Sequence, residues 1–261
     1  MVSCNIWKNK GYHRGVKKLR LDRFLANSKL GTRREVKKLI KAGIVKVNGK
    51  TIKDPSFNVG ESDIVEVNGK RIEPPRKVYI VLNKPKGFVS STKDPRDPTV
   101  VDLVDHPYSE DLFPVGRLDK DAEGLIILTN DGEFAHKVIS PKYSVEREYI
   151  VEVDKEVSNE TLEKLTNGVR LKDGYIAKAK KVEIVSQDRK RLSLVLTEGK
   201  YHEVKRMLLS VGLKALNLKR VRIGRLKLDE NLPSGSWREL SVEEVMSVFE
   251  RGGYKKNKSG T

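Results

Sequence analysis

In GRLDKDAEGLIILTNDG (116–132), acidic residues alternate with turn residues just ahead of an apolar run. Asp119, Asp121, Glu123 and Gly124 fill the first, third, fifth and sixth places of a calcium-loop pattern. That loop needs a bidentate Glu at its twelfth place, where this chain has Asn130. Leu125, Ile126, Ile127 and Leu128 are bounded by turn residues, so they predict a short buried strand rather than the flanking helix of such a site. What is left is one carboxylate, Asp119, on a loop that leads from Arg117 into a rigid element, a suitable place for a reactive group. By spacing alone, a surface-turn aspartate is the better fit.

Other segments supply candidate partners. EGKYHEVKRMLLSVG (198–212) has helical periodicity. At 100° per residue Val204, Met207, Leu208 and Val211 share one face, and His202, Lys205, Arg206 and Leu209 share the other. Lys205 and Arg206 would then project together, to serve phosphates or to pair with a carboxylate such as Asp119. A solvated basic face is the plainer reading. VEREYIVEV (145–153) sets Tyr149 beside Arg147 at the start of a strand, where packing is the commoner use of a tyrosine. LNKPKG (82–87) sets Lys84 and Lys86 around Pro85 in a stiff basic turn.

The elements that must position these groups belong to a chain of 261 residues, enough for two domains. Apolar residues make up 37%, with no run long enough to span a bilayer, and the basic N-terminus lacks the apolar segment of a secretory signal. One cysteine, Cys4, excludes an internal disulfide, and four histidines show no metal-ligand spacing, so a reducing, cytoplasmic setting is expected. The net charge is +17, and it is uneven: residues 1–76 hold 19 Lys and Arg against 7 Asp and Glu. Such a basic head points to a polyanion, most simply nucleic acid. A thermophile's lysine-rich surface would carry matching glutamates, which this segment lacks.

Within the head, Thr32 and Glu35 form a capping box for the helix RREVKKLIKAG, which ends at Gly43. Val36, Leu39 and Ile40 mark its apolar face, while Arg33, Arg34, Lys37, Lys38 and Lys41 crowd the remainder. A shorter helix with Leu21, Phe24 and Leu25 precedes it. VKVNGKTI (45–52) recurs as VEVNGKRI (65–72), each with an Asn-Gly pair suited to a type I′ hairpin. LRLDRFLANSKLGTRREVKKLIKAGIVKVNGK resembles the S4 RNA-binding domain. The resemblance implies phosphate contacts from Arg33, Arg34, Lys37, Lys38 and Lys41, which would give strong, salt-sensitive binding with little sequence preference.

After a Pro74-Pro75 linker, strands are predicted at 78–82, 124–129, 149–153, 176–185, 192–197 and 214–223, and helices near 132–139, 159–167, 201–211 and 241–249. Strand and helix do not alternate regularly, so the fold class is α+β with a mostly antiparallel sheet flanked by helices. The expected organisation is a basic tail (1–17), an S4 domain (18–72), a linker (73–77), a catalytic domain (78–250) and a second tail (251–261), the tails being polar and mobile.

Taken in order, LNKPKG, GRLDKDAEGLIILTNDG, VEREY and EGKYHEVKRM resemble the pseudouridine synthases that carry an S4 domain and modify ribosomal RNA. The second segment matches that family's G-R-L-D-x-x-T-x-G-L-L-L-x-T-N-D-G pattern. The resemblance implies that Asp119 is the nucleophile and Lys205 its basic partner. It implies that Tyr149 stacks on the target base and serves in proton removal from the ribose, and that Arg117 enters the RNA stack as the uridine leaves it. Lys84, Lys86, His202 and Arg206 are expected to contact RNA. Ala122 departs from the family's usual Thr, Arg147 from Lys and Glu203 from Gln.

The implied reaction breaks the N1–C1′ bond of uridine, turns the base and rejoins it through C5, which a carboxylate can assist covalently. No metal, no organic cofactor and no membrane is expected. The partner is ribosomal RNA or a ribosomal assembly particle, met by a monomer. Tyr201-His202 resembles the subgroup acting on small-subunit RNA, whereas VEREY and TRRE resemble the subgroup acting on the large subunit. A non-catalytic S4 protein and a glycoside hydrolase using Asp119 with Glu123 or Asp121 are the readings from other classes.

Overall fold

The computed structural model describes residues 19–249 except 61, 74 and 75. The expected tails, Cys4 and the Pro74-Pro75 pair lie outside the described residues. The chain divides between Arg76 and Lys77 into two compact units.

In the first unit, α1 (Leu21–Asn27) and α2 (Arg33–Lys41) pack on a four-stranded antiparallel sheet. Its strands are β1 (Val45–Val47), β2 (Lys50–Thr51), β3 (Val65–Val67) and β4 (Lys70–Ile72), in the order β2-β1-β3-β4. Asn48-Gly49 and Asn68-Gly69 join the hairpins with positive φ at all four residues, as a type I′ turn requires. At the start of α2, Thr32 Oγ1 accepts the Glu35 amide at 3.3 Å, and the Glu35 carboxylate accepts the Thr32 amide at 2.7 Å. Leu21, Leu25, Val36, Ile40, Val45 and Val65 fill the core, which leaves Arg33, Arg34, Lys37, Lys38 and Lys41 exposed on one helix.

The second unit is built on one large sheet. In chain order its principal strands are β5 (Tyr79–Lys84), β6 (Glu123–Thr129), β7 (Arg147–Val153), β8 (Lys181–Ile184), β9 (Arg191–Leu196), β10 (Ala215–Ile223) and β11 (Trp237–Glu239). They lie in the order β8-β9-β7-β10-β6-β5-β11. Every pair along it is antiparallel except β10 with β6. Among the described residues four α-helices accompany it: α3 (Gly132–Ile139), α4 (Asn159–Asn167), α5 (Glu203–Ser210) and α6 (Val242–Ser247).

The apolar run of β6 reflects burial on both faces: Ile126 and Leu128 join the main core, and Leu125 and Ile127, which alternate to the opposite face, are equally inaccessible. Gly124 makes the parallel pairing possible. It holds φ +101°, and a Cβ there would stand 2.3 Å from the Arg220 carbonyl oxygen and 2.9 Å from its nitrogen.

Three sequence expectations shift. The continuous strand at 176–185 is broken into Ile176–Ala177 and β8, because Ala179 and Lys180 hydrogen-bond to Leu165 and Val195 between them. The helix expected at 201–211 is α5, beginning only at Glu203. The edge strand β11, too short for a periodicity signal, closes the sheet against β5. Among the described residues no helix is long and apolar enough to cross a membrane.

Candidate active site

Asp119 stands on the loop that enters β6, and that loop is held from below by the segment after β5. The Lys84 ammonium, on a fully buried side chain (0% exposed), donates to the carbonyls of Ala122 at 2.6 Å, Pro85 at 3.0 Å and Lys120 at 3.3 Å. The Gly87 amide donates to Lys120 O at 2.7 Å. Ser90 Oγ donates to Leu118 O at 2.7 Å and accepts the Leu118 amide at 2.9 Å. The backbone on both sides of Asp119 is thereby tied to residues 84–90.

Lys84 is therefore not a phosphate ligand, contrary to the sequence expectation: its charge is spent on backbone carbonyls, out of reach of any polyanion. Burial pushes its pKa down to about 8, against a smaller opposing pull from Asp121 and Asp119. Lys86 is exposed. Ala122, in the place where the resemblance expected Thr, is fully buried and offers Lys84 its carbonyl.

The Asp119 carboxylate meets two groups from the other side. Lys205 Nζ lies 3.0 Å from Oδ2, and His202 Nε2 lies 3.2 Å from Oδ1. Lys205 also donates to Asp121 at 2.6 Å. Burial alone would lower the Lys205 pKa, but the hydrogen bonds to Asp121 and Asp119 outweigh it and raise it. The Lys205 hydrogen bond holds Asp121 below the usual carboxylate range, against partial burial.

Lys205 and Arg206 do not project together. Arg206 pairs with Asp173, in the turn between Val169–Arg170 and Ile176–Ala177, and fastens α5 there instead of joining Asp119. His202 precedes the helix in a left-handed conformation (φ 49°, ψ 33°), a strained state for a residue with a side chain.

Tyr149 sits on β7 opposite Arg220 of β10, with its ring buried. Together with Arg117, Asp119, His202, Glu203 and Lys205 it lines a cavity of about 60 Å³. Arg117 is exposed at that cavity, and among the described residues its guanidinium has no ion-pair partner.

Three contributors escape sequence reasoning. Glu203, on the apolar side of α5, is buried and accepts the Lys200 amide at 3.0 Å, which fixes the 200–202 turn; burial raises its carboxyl pKa. Arg147 is buried too, and its guanidinium binds the carbonyls of Val138 (2.8 Å), Val145 (3.1 Å) and Thr197 (3.4 Å). Arg220, also buried, donates from Nε to Leu125 O at 2.7 Å, at the start of β6. For Arg147 and Arg220 the signal was a basic residue inside an apolar strand pattern, and Arg147 and Glu203 also stood out as departures from the family's usual Lys and Gln. Among the described residues no group of three His, Cys, Asp or Glu side chains could hold a metal ion.

Residues 78–210 match the family described as RNA pseudouridylate synthase, and residues 19–65 match the S4 domain. An uncharacterized RNA pseudouridine synthase from Aquifex aeolicus (strain VF5) is 45% identical over 88% of this chain and 96% of its own length. The chain belongs to the RNA pseudouridylate synthase family. As a pseudouridine synthase it is an isomerase, which sets aside the hydrolase reading. The ribosomal small subunit pseudouridine synthase A of Vibrio parahaemolyticus is 39% identical over 88% of this chain and all of its own length. The crystal structure of a pseudouridylate synthase is similar at TM-score 0.63 and 34% identity, covering 88% of this chain and 99% of the other.

Proposed function

We propose that this pseudouridine synthase converts uridine to pseudouridine in small-subunit ribosomal RNA, with Asp119 as the nucleophile. The observation that carries the reading is the clamped Asp119 carboxylate, facing a cavity that Tyr149 also lines, with Lys205 and His202 on its two oxygens. Tyr201-His202, which carried the resemblance to the small-subunit subgroup, lies at that carboxylate, and the Vibrio relative is named for the small subunit.

The steps follow from the residue types. A uridine leaves its stack at a cost of a few kcal/mol, and Arg117 fills the gap. Asp119 acts covalently as the N1–C1′ bond breaks. The base turns, C5 joins C1′, C5 gives up its proton, and N1 ends protonated, so the product is an isomer of the substrate. Lys205 holds the carboxylate in place while Asp121 holds Lys205. Tyr149 takes part in removing a proton from the ribose, and the ribose regains a proton at the same carbon before the product leaves. In the S4 unit, Arg33, Arg34, Lys37, Lys38 and Lys41 neutralise phosphates. In the catalytic unit, the exposed Lys86 is a phosphate contact of its own.

The test is tritium release from 5-tritiated uridine in small- and large-subunit transcripts, each also as a partly assembled particle. Release from a small-subunit substrate with wild type, and none with Asp119→Asn, is the expected result. Release from large-subunit RNA only would overturn the substrate assignment. Release by Asp119→Asn would overturn the nucleophile.

A further inference from the structure

Tyr201 is the most exposed of the large apolar side chains in the described residues, at 71%. A lone exposed tyrosine needs no explanation. This one is different because of what stands behind it. Its ring lies flat against that of His202, with centroids 3.8 Å apart and planes 16° from parallel. His202 is held in turn by its contact with Asp119 and by its left-handed backbone. The Tyr201 carbonyl accepts from Arg206 at 3.4 Å, and Arg206 is fastened to Asp173. Glu203 fixes the preceding turn through the Lys200 amide. A two-ring stack thus runs outward from the reactive carboxylate and ends in an exposed aromatic ring on an anchored turn. The Lys200 ammonium in the same turn lies 3.4 Å above the ring of Tyr175.

A uridine drawn onto Asp119 breaks the stack with two neighbours in the RNA chain, and where Arg117 covers the face of one, the other is left without a stacking partner. Aromatic side chains are the usual replacement in single-stranded RNA sites, because every base has a π-face. We propose that the Tyr201–His202 pair is the stacking platform for the nucleobase adjacent to the isomerised uridine. The proposal rests on the isomerase reading above. It makes Tyr201 a positioning residue, acting on substrate placement rather than on the bonds that change.

The experiment measures tritium release, KM and kcat separately, for wild type, Tyr201→Ala, Tyr201→Leu and Tyr201→Phe on small-subunit transcript. Loss of the ring raises KM about 10- to 100-fold, from the usual strength of base stacking, with a much smaller change in kcat. Tyr201→Leu behaves like Tyr201→Ala, and Tyr201→Phe restores the KM. Once the modified position is mapped, transcripts abasic at one or the other neighbour are tested. At one of them wild type falls to the Tyr201→Ala level, and the variant loses nothing further.

A Tyr201→Ala variant with unchanged KM, a Leu variant as good as Phe, or losses that multiply at both neighbours would each overturn the platform while leaving the reaction assignment intact. An inactive wild type on every substrate would overturn both. Thermal unfolding of the three variants at the wild-type midpoint excludes a folding defect.

Discussion

Lys84→Met tests whether the buried ammonium under the Asp119 loop is desolvated as the geometry implies. The wild-type side chain is fully buried and meets three carbonyl oxygens but no carboxylate. Burial lowers its pKa from the ordinary 10.5 to about 8, which corresponds to roughly 3 kcal/mol at 1.36 kcal/mol per decade. The sign follows from proton counting. Below pH 8 both folded and unfolded chains carry the proton, and the full cost of burying the charge is present. Between about pH 8 and 10.5 the unfolded chain keeps a proton that the folded chain has lost, so stability rises with pH; above 10.5 the cost is gone. Methionine has a similar length and never titrates.

Urea unfolding at several pH values should therefore show wild type gaining roughly 3 kcal/mol over Lys84→Met between pH 7.5 and 10.5. Taking the difference between the two proteins cancels the other titrating groups. Trp237, which pairs with Leu82 of β5, reports the transition, with Trp7→Phe as the background. At neutral pH the relief of charge burial and the carbonyls left unpaired oppose each other, so the two proteins differ by no more than a couple of kcal/mol. Activity should fall all the same, because the loop carrying Asp119 loses its pin. A wild-type minus variant difference that stays flat with pH would refute the reasoning.

Lys205→Met removes a charge-assisted hydrogen bond from Asp119, so kcat for tritium release should drop about 10- to 100-fold with RNA affinity nearly unchanged; the same variant should let the Asp121 carboxyl titrate higher, as read by carbon NMR. Gly124→Ala drives a Cβ into the β10 backbone at a positive φ, and should lower the melting temperature of the catalytic unit by roughly 10 °C in circular dichroism. Replacing Arg33, Arg34, Lys37, Lys38 and Lys41 together by Ala should flatten the slope of log binding constant against log salt by about 3.5 to 4.5, measured by filter binding; an unchanged slope would mean that α2 does not face phosphates.

What the sequence determined by itself is local. The Thr32–Glu35 box and the two Asn-Gly turns rest on contacts within a few residues, and each is present as read. The apolar run of β6 was legible because a strand buried on both faces needs apolar residues at every position, whichever strands cover it. The order of LNKPKG, GRLDKD, VEREY and EGKYHEVKRM was enough to place the family, because covalent spacing along the chain carries that pattern without the fold.

Tertiary structure decided what each cation meets. A lysine in a basic turn reads as a phosphate ligand until Lys120 and Ala122, far along the chain, bring their carbonyls to Lys84. Neighbours on one helical face read as a pair until Asp119 captures Lys205 and Asp173 captures Arg206. His202 leaves the helix because its contact with Asp119 goes with a left-handed turn that no helical periodicity reveals. Periodicity tells which residues share a face. The partner of a charge is set by electrostatics between distant segments, and these meet only when the sheet closes.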